Sequence, residues 1–266
     1  MSSASCSRTD GLLPLHDGVV YGPVTSRRLG VSLGVNILPP GRKVCSFNCV
    51  YCQYGWTDGA ALHDLATLDW PAADGVVADV ERRLEDLALA GTHVDRVTLA
   101  GHGEPTLHPD FPAIVEGLRE ARDRVAASSR IAILSNSSTA GDPRVRASLL
   151  RLDERYMKLD AGDQDTLRHV NATASRLDDI VRALASLSPI VVQAMFVRSP
   201  DGRVDNSSPG ALAPWLGALA TIRPAEVHIY SLDRVPAWRV LEAIPRARLA
   251  EIARAVEQRG FRAEVF

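Results

Sequence analysis

The stretch Lys43-Val-Cys45-Ser-Phe-Asn-Cys49-Val-Tyr-Cys52 carries three of the four cysteines of the chain, separated by three and then two residues. Three soft thiolates on one loop can hold three corners of an iron–sulfur cube, for which a complete set of protein ligands would be four. One iron is then left open to bind a small molecule, and a reduced cluster can pass one electron into whatever it binds. A structural zinc knuckle is the competing use of such thiols. Structural zinc takes four protein ligands, and neither a Cys-x-x-His nor a second cysteine pair stands near this loop. Cys6 stands apart and reads as a free thiol in a loose N-terminal segment.

A second stretch with chemical content is Ala100-Gly-His-Gly-Glu-Pro-Thr-Leu-His-Pro109, directly after an expected strand. Its glycines let backbone approach a ligand closely, and Glu104 offers an acceptor for an ammonium group. Alone this reads as a strand-to-helix turn; about 50 residues after the cysteines and one β/α step on, it becomes part of a site. His102 sits at a variable position within it, and His108 belongs to the cap of the following helix.

The CxxxCxxC spacing with an aromatic residue before the last cysteine resembles the signature of the radical S-adenosylmethionine (SAM) superfamily, and Gly101-x-Gly103-Glu104-Pro105 is similar to that family's GGE-type segment. The resemblance implies a [4Fe–4S] cluster on Cys45, Cys49 and Cys52, with SAM chelating the fourth iron through its amino and carboxylate groups. It implies reductive cleavage of SAM to methionine and a 5′-deoxyadenosyl radical that abstracts hydrogen from a substrate. Tyr51 would lie beside the adenine and Phe47 near the cluster. Gly101, Gly103, Glu104 and Pro105 would line SAM, and Ser135, Asn136 and Gln193 are candidates for its carboxylate or ribose. An external one-electron reductant such as flavodoxin or ferredoxin is a further implied partner.

Three pieces narrow the resemblance: Tyr21-Gly-Pro-Val-Thr-Ser-Arg-Arg-Leu-Gly30, Cys52-Gln-Tyr-Gly-Trp-Thr57 and Gly101 to Pro109. With Tyr156-Met-Lys-Leu-Asp-Ala161, they resemble the branch that contains the tRNA wyosine-base (4-demethylwyosine) synthases. Those enzymes carry a second cysteine-bound cluster near the N-terminus, for which this chain offers only Cys6. The substrate expected here is therefore a small molecule or peptide, with tRNA guanine modification as the alternative and a non-catalytic iron–sulfur or redox-sensing protein as the rival from another class. The wyosine reaction is thought to employ a lysine, and this chain has two, Lys43 and Lys158, of which Lys158 is the candidate catalytic residue.

These residues need a frame. At 266 residues, 46% hydrophobic and 23% charged, the chain has the composition of a folded globular protein. Its formal net charge of −2 carries no broad basic footprint for a polyphosphate partner. No apolar run reaches the roughly 18 residues of a membrane span, so a cytoplasmic protein without membrane contact is expected.

After the cysteine loop, helical stripes alternate with short apolar runs about six times, beginning with Pro71–Leu89 and Arg96–Leu99, continuing through expected strands at Ile190–Val197 and Glu226–Tyr230, and ending with Arg246–Arg259 and Phe261–Val265. That alternation argues for parallel strands with covering helices, in an open doubly wound sheet or a complete or partial barrel. With the resemblance, the expected fold is α/β, a partial (β/α)6 radical SAM barrel, with residues 1–28 as a lead-in and 29–266 as the core domain. The first strand is expected over Leu29–Leu38. Sites of parallel sheets form at strand C-termini, which adds Asp160, His228, Tyr230 and Ser231 to the candidates. Arg27 and Arg28 could steer an anionic substrate.

Overall fold

The computed structural model describes residues 11–57 and 64–266. Cys6 lies outside them. In chain order the strands are β1 (Val20–Ser26), β2 (Gly30–Val35), β3 (Arg96–Leu99), β4 (Arg130–Ser135), β5 (Glu154–Lys158), β6 (Val191–Met195), β7 (Val197–Arg198), β8 (Glu226–Tyr230), β9 (Glu242–Ala243) and β10 (Ala263–Val265). The helices are α1 (Ala73–Leu89), α2 (Phe111–Val125), α3 (Pro143–Leu149), α4 (Gln164–Asn171), α5 (Leu177–Ala185), α6 (Pro209–Ile222) and α7 (Arg246–Glu257).

One sheet has the order β1-β2-β3-β4-β5-β6-β8-β10. From β2 to β10 every neighbouring pair is parallel. A doubly wound sheet reverses its strand order at a switch point. This one adds each strand on the same side, so right-handed crossovers put the helices on one face and the sheet curls about the other. The fold is accordingly a partial (β/α)6 barrel.

Side-chain alternation divides the sheet as the barrel requires. Leu33, Val97, Ile131, Met157, Val192 and Val227 face the helices in the main apolar core. The opposite face holds a small apolar cluster of Leu29, Ala132 and Tyr156, with Leu134 and Val191 packed against it, and a row of polar groups. Across β5, β6, β8 and β10, register places Lys158 beside Gln193, Gln193 beside His228, and His228 beside Glu264. Polar side chains thus line the barrel interior at successive levels.

Two elements differ from the sequence reading. Residues 20–26, expected as part of the lead-in, form the antiparallel edge strand β1, paired from Val20↔Val35 to Ser26↔Gly30 with an irregularity between Tyr21 and Val24. Gly22 and Pro23 break its alternation, and an edge strand tolerates both. The expected strand Ile190–Val197 stops at Met195, and Val197–Arg198 instead pairs with Glu242–Ala243 in a separate ribbon.

Candidate active site

The cysteine loop lies over the C-terminal ends of the barrel strands and is held from three directions. The amides of Asn48 and Val50 donate to the carbonyls of Asn171 and Val170 at the end of α4 (2.9 and 3.0 Å), and Trp238 N donates to Val50 O (2.8 Å). Glu104 N donates to Val44 O (2.9 Å), which docks the Gly-His-Gly-Glu-Pro segment onto the loop. Phe47, Val50 and Tyr51 are buried beneath it. Lys43 is buried and its ammonium donates to Gly55 O at 2.5 Å, so it clasps the loop across the cysteines.

The two glycines are demanded by this docking. A Cβ on Gly103 would stand 1.8 Å from Val44 O, and one on Gly101 would stand 2.1 Å from Asn36 Oδ1. The close approach they permit here is between two segments of the chain.

Two amides aim at the thiols. Asn136 Nδ2 lies 3.4 Å from Cys45 Sγ, and Asn171 Nδ2 lies 3.2 Å from Cys49 Sγ. Burial pushes the Cys45 thiol up to about 12 and the Cys49 thiol up to about 11; Asp160 adds to the rise at Cys49 while Lys158 and Asn171 oppose it. Buried thiols of this kind ionise when a cationic centre takes the thiolate.

The donor set fits a cluster better than one ion. Ligands of a single tetrahedral zinc crowd to within about 4 Å of each other. Among the described residues, the His, Cys, Asp and Glu side chains whose ligand atoms converge within 4.8 Å are Glu226, His228 and Glu264, and the three cysteines are not among them. Asn36 Oδ1 and Asn171 Oδ1 are buried without a hydrogen-bond partner at this end of the barrel. Orphaned acceptors around spread thiols suit a group larger than an ion.

Glu104, Ser135 and Asn136 come together beside Cys45. Glu104 is buried, and its Oε1 accepts from Ser135 Oγ (2.9 Å), Thr106 Oγ1 (2.6 Å) and Thr106 N (3.2 Å). Its Oε2 accepts from Asn136 N (2.5 Å). Burial pushes its pKa up against these bonds. A carboxylate has about four acceptor sites, and the Oε2 side retains room for another donor. Pro105 opens the short helical turn that Glu104 caps.

Gln193 stands apart from that set. Its Oε1 accepts from an Arg28 guanidinium nitrogen at 3.0 Å and faces Tyr230 Oη at 3.3 Å. Lys158 Nζ donates to Tyr230 Oη at 3.2 Å and lies 5.1 Å from the Tyr51 ring centre. Asp160 is the hub between the sets: it accepts from Tyr51 Oη, from Asn171 Nδ2 (2.7 Å) and from Met195 N (2.8 Å). Its Oδ1 is 3.9 Å from Lys158 Nζ. Burial works to lower the Lys158 pKa, but Asp160, Tyr230 and Cys49 more than offset it and hold it above the ordinary lysine value.

Other candidates have structural places. His102 is fully buried, where its ring takes Nδ1 to the His16 amide (3.1 Å) and Nε2 to Pro39 O (3.0 Å). His108 joins Pro71 O and the Asp110 amide. Ser231 Oγ donates to Phe196 O. Arg27 is exposed and pairs with Asp233, whereas Arg28 turns inward. Asn36, Thr106 and Asn171 are absent from the sequence reading. Thr106 stood inside a recognised motif, but nothing in the sequence marks Asn171, which ends α4 before Ala172 turns left-handed.

The family model for the radical SAM superfamily matches residues 42–192. A UPF0026 protein of Synechocystis is 31% identical over 84% of this chain and 79% of its own length. A protein named GTPase Obg from Brachyspira hyodysenteriae is 31% identical over 60% of this chain, which spans only 21% of that protein. Among solved structures, a radical SAM methyltransferase from Sphaerobacter thermophilus superposes with a TM-score of 0.63 at 15% identity, covering 88% of this chain and 65% of that one. An archaeal TYW1 superposes with a TM-score of 0.54 at 11% identity, covering 86% and 72%. Likeness at such identities concerns the fold. No helix among the described residues is long and apolar enough to cross a membrane.

Proposed function

The chain belongs to the radical SAM superfamily, whose members bind a [4Fe–4S] cluster and SAM, and from that premise we propose that it cleaves SAM reductively and uses the radical on a substrate held in the barrel interior. The observation that carries the reading is the convergence on one loop of three buried or half-buried cysteines with side-chain amides directed at two of the sulfurs. Bound there, the cluster and SAM supply a one-electron cleavage to methionine and a 5′-deoxyadenosyl radical able to take a hydrogen atom.

The chain's own residues bind and shield. Cys45, Cys49 and Cys52 hold three irons, and Asn136 and Asn171 direct N–H groups at the sulfurs, which tunes the electron affinity of such a centre. Glu104, fixed by Thr106, Ser135 and the Asn136 amide, offers its remaining Oε2 acceptor to the SAM ammonium. Tyr51 donates its hydroxyl to Asp160 and lies with its ring 5.1 Å from Lys158 Nζ, next to the cysteines. The electron comes from an external one-electron donor of the flavodoxin or ferredoxin kind.

Anaerobically reconstituted protein is expected to hold about four irons, and its reduced cluster to change its electron paramagnetic resonance spectrum when SAM is added. A full cluster whose spectrum ignores SAM would favour a non-catalytic iron–sulfur protein instead.

A further inference from the structure

We propose that the barrel interior binds an anionic oxygen group of the substrate, a carboxylate or phosphate, between Lys158 and Arg28; this rests on the reading above that the interior is the substrate site. The case begins with two cations whose hydrogen bonds go to neutral groups. Arg28 has no carboxylate within 4.0 Å among the described residues, and its hydrogen-bond partner is the neutral Gln193. Its guanidinium lies 4.7 Å from the Tyr230 ring centre, which leaves most of its five donors free. Lys158 is four-fifths buried, and its hydrogen bond also goes to a neutral group, Tyr230 Oη. Its nearest carboxylate, Asp160, is 3.9 Å away and already accepts from Tyr51, Asn171 and the Met195 amide.

The two cations share one scaffold. Tyr230 Oη touches Lys158 on one side and Gln193 on the other, and Gln193 holds Arg28. Both cations also lie against the Tyr230 ring, with Lys158 Nζ 5.6 Å from its centre. Two cations oriented by neutral partners, with donors to spare, form a preorganised clamp for an oxyanion. By contrast, Arg96 and Arg130 both close on Glu154. Arg28 also lines a cavity of about 370 Å³ at the opposite, N-terminal mouth of the barrel, which Lys158 does not line. Dependence on Lys158 therefore separates an anion in the clamp from one in that cavity.

The test uses reconstituted protein with SAM in low-salt buffer. Acetate and inorganic phosphate are the two probes and neutral acetamide the control, with binding read by calorimetry or ligand-observed NMR. At least one anion should bind where acetamide does not, and which of the two binds assigns the group. Arg28→Gln and Lys158→Met should each weaken it about tenfold or more, since each removes a charged hydrogen-bond donor. Arg28→Lys should recover part of the loss, and Arg27→Gln, at an exposed pair, should change nothing. Anions that bind no better than acetamide, or a loss that appears in Arg28→Gln but not in Lys158→Met, would overturn the clamp. Release of 5′-deoxyadenosine by the same samples is read in parallel, so failure of the clamp and failure of SAM cleavage are told apart.

Discussion

The two ends of the barrel treat polar groups in opposite ways. At the N-terminal mouth, Glu154 receives Arg96 through two nitrogens (2.5 and 2.9 Å), Arg130 at 3.2 Å and the Tyr156 hydroxyl at 2.9 Å, while Arg96 also reaches Leu29 O. Each donor of this cluster meets an acceptor of the chain itself, while the buried Nδ1 of His228 beside it has no partner. At the C-terminal end, three thiols converge on one loop, Asn36 and Asn171 each keep an unsatisfied oxygen, and Lys158 donates to the neutral Tyr230 hydroxyl. Polar groups satisfied within the chain contribute stability, whereas those left open cost stability and await ligands.

Substitutions at the two ends should therefore read out on different instruments. The largest effect is expected from Cys49→Ser, which should lose the cluster and with it essentially all 5′-deoxyadenosine release; a variant with full iron content and activity would break the contrast. Next, Glu104→Gln should weaken SAM binding about 30- to 100-fold, measured by equilibrium dialysis on reconstituted protein, because an ammonium loses its charged acceptor. At the other end, Glu154→Gln should leave SAM cleavage per folded molecule unchanged and lower the unfolding free energy by about 2 kcal/mol, since it takes the charged acceptor from the largely buried Arg96. Chemical denaturation measures this, and an activity loss without destabilisation would show that the lower mouth serves chemistry too.

The smallest expected effect concerns His228, which sits between Tyr156 and Phe266. Burial, with Arg28 assisting, depresses its pKa from 6.5 to about 4. Because the unfolded chain takes up this proton first, the stability it represents is fully present above about pH 6.5 and is lost as pH falls through about 4. His228→Phe should flatten that stretch of the stability–pH curve; an unchanged slope would remove His228 as its source.

Much of this contrast was legible from residues alone. Strands Arg96–Leu99 and Glu226–Tyr230 match their apolar runs, since both are short, continuous and bounded by turn residues. The cysteine loop and the Gly101–Pro105 segment were readable because their chemistry demands local spacing. Strand β1 was hidden because an edge strand broken by Gly22 and Pro23 has no alternation to read. The split between Arg27 and Arg28 was equally invisible: neighbours in sequence, they part at a hairpin whose geometry turns one outward to Asp233 and the other inward to Gln193. Asn171 meets Cys49 only through long-range packing of α4 on the loop, which no local pattern announces.

The central claim is that this loop and its surroundings cleave SAM. Anaerobically reconstituted protein incubated with SAM and dithionite should release 5′-deoxyadenosine and methionine in equal amounts, and Cys49→Ser should release neither. A fully loaded cluster that yields no 5′-deoxyadenosine would contradict the account.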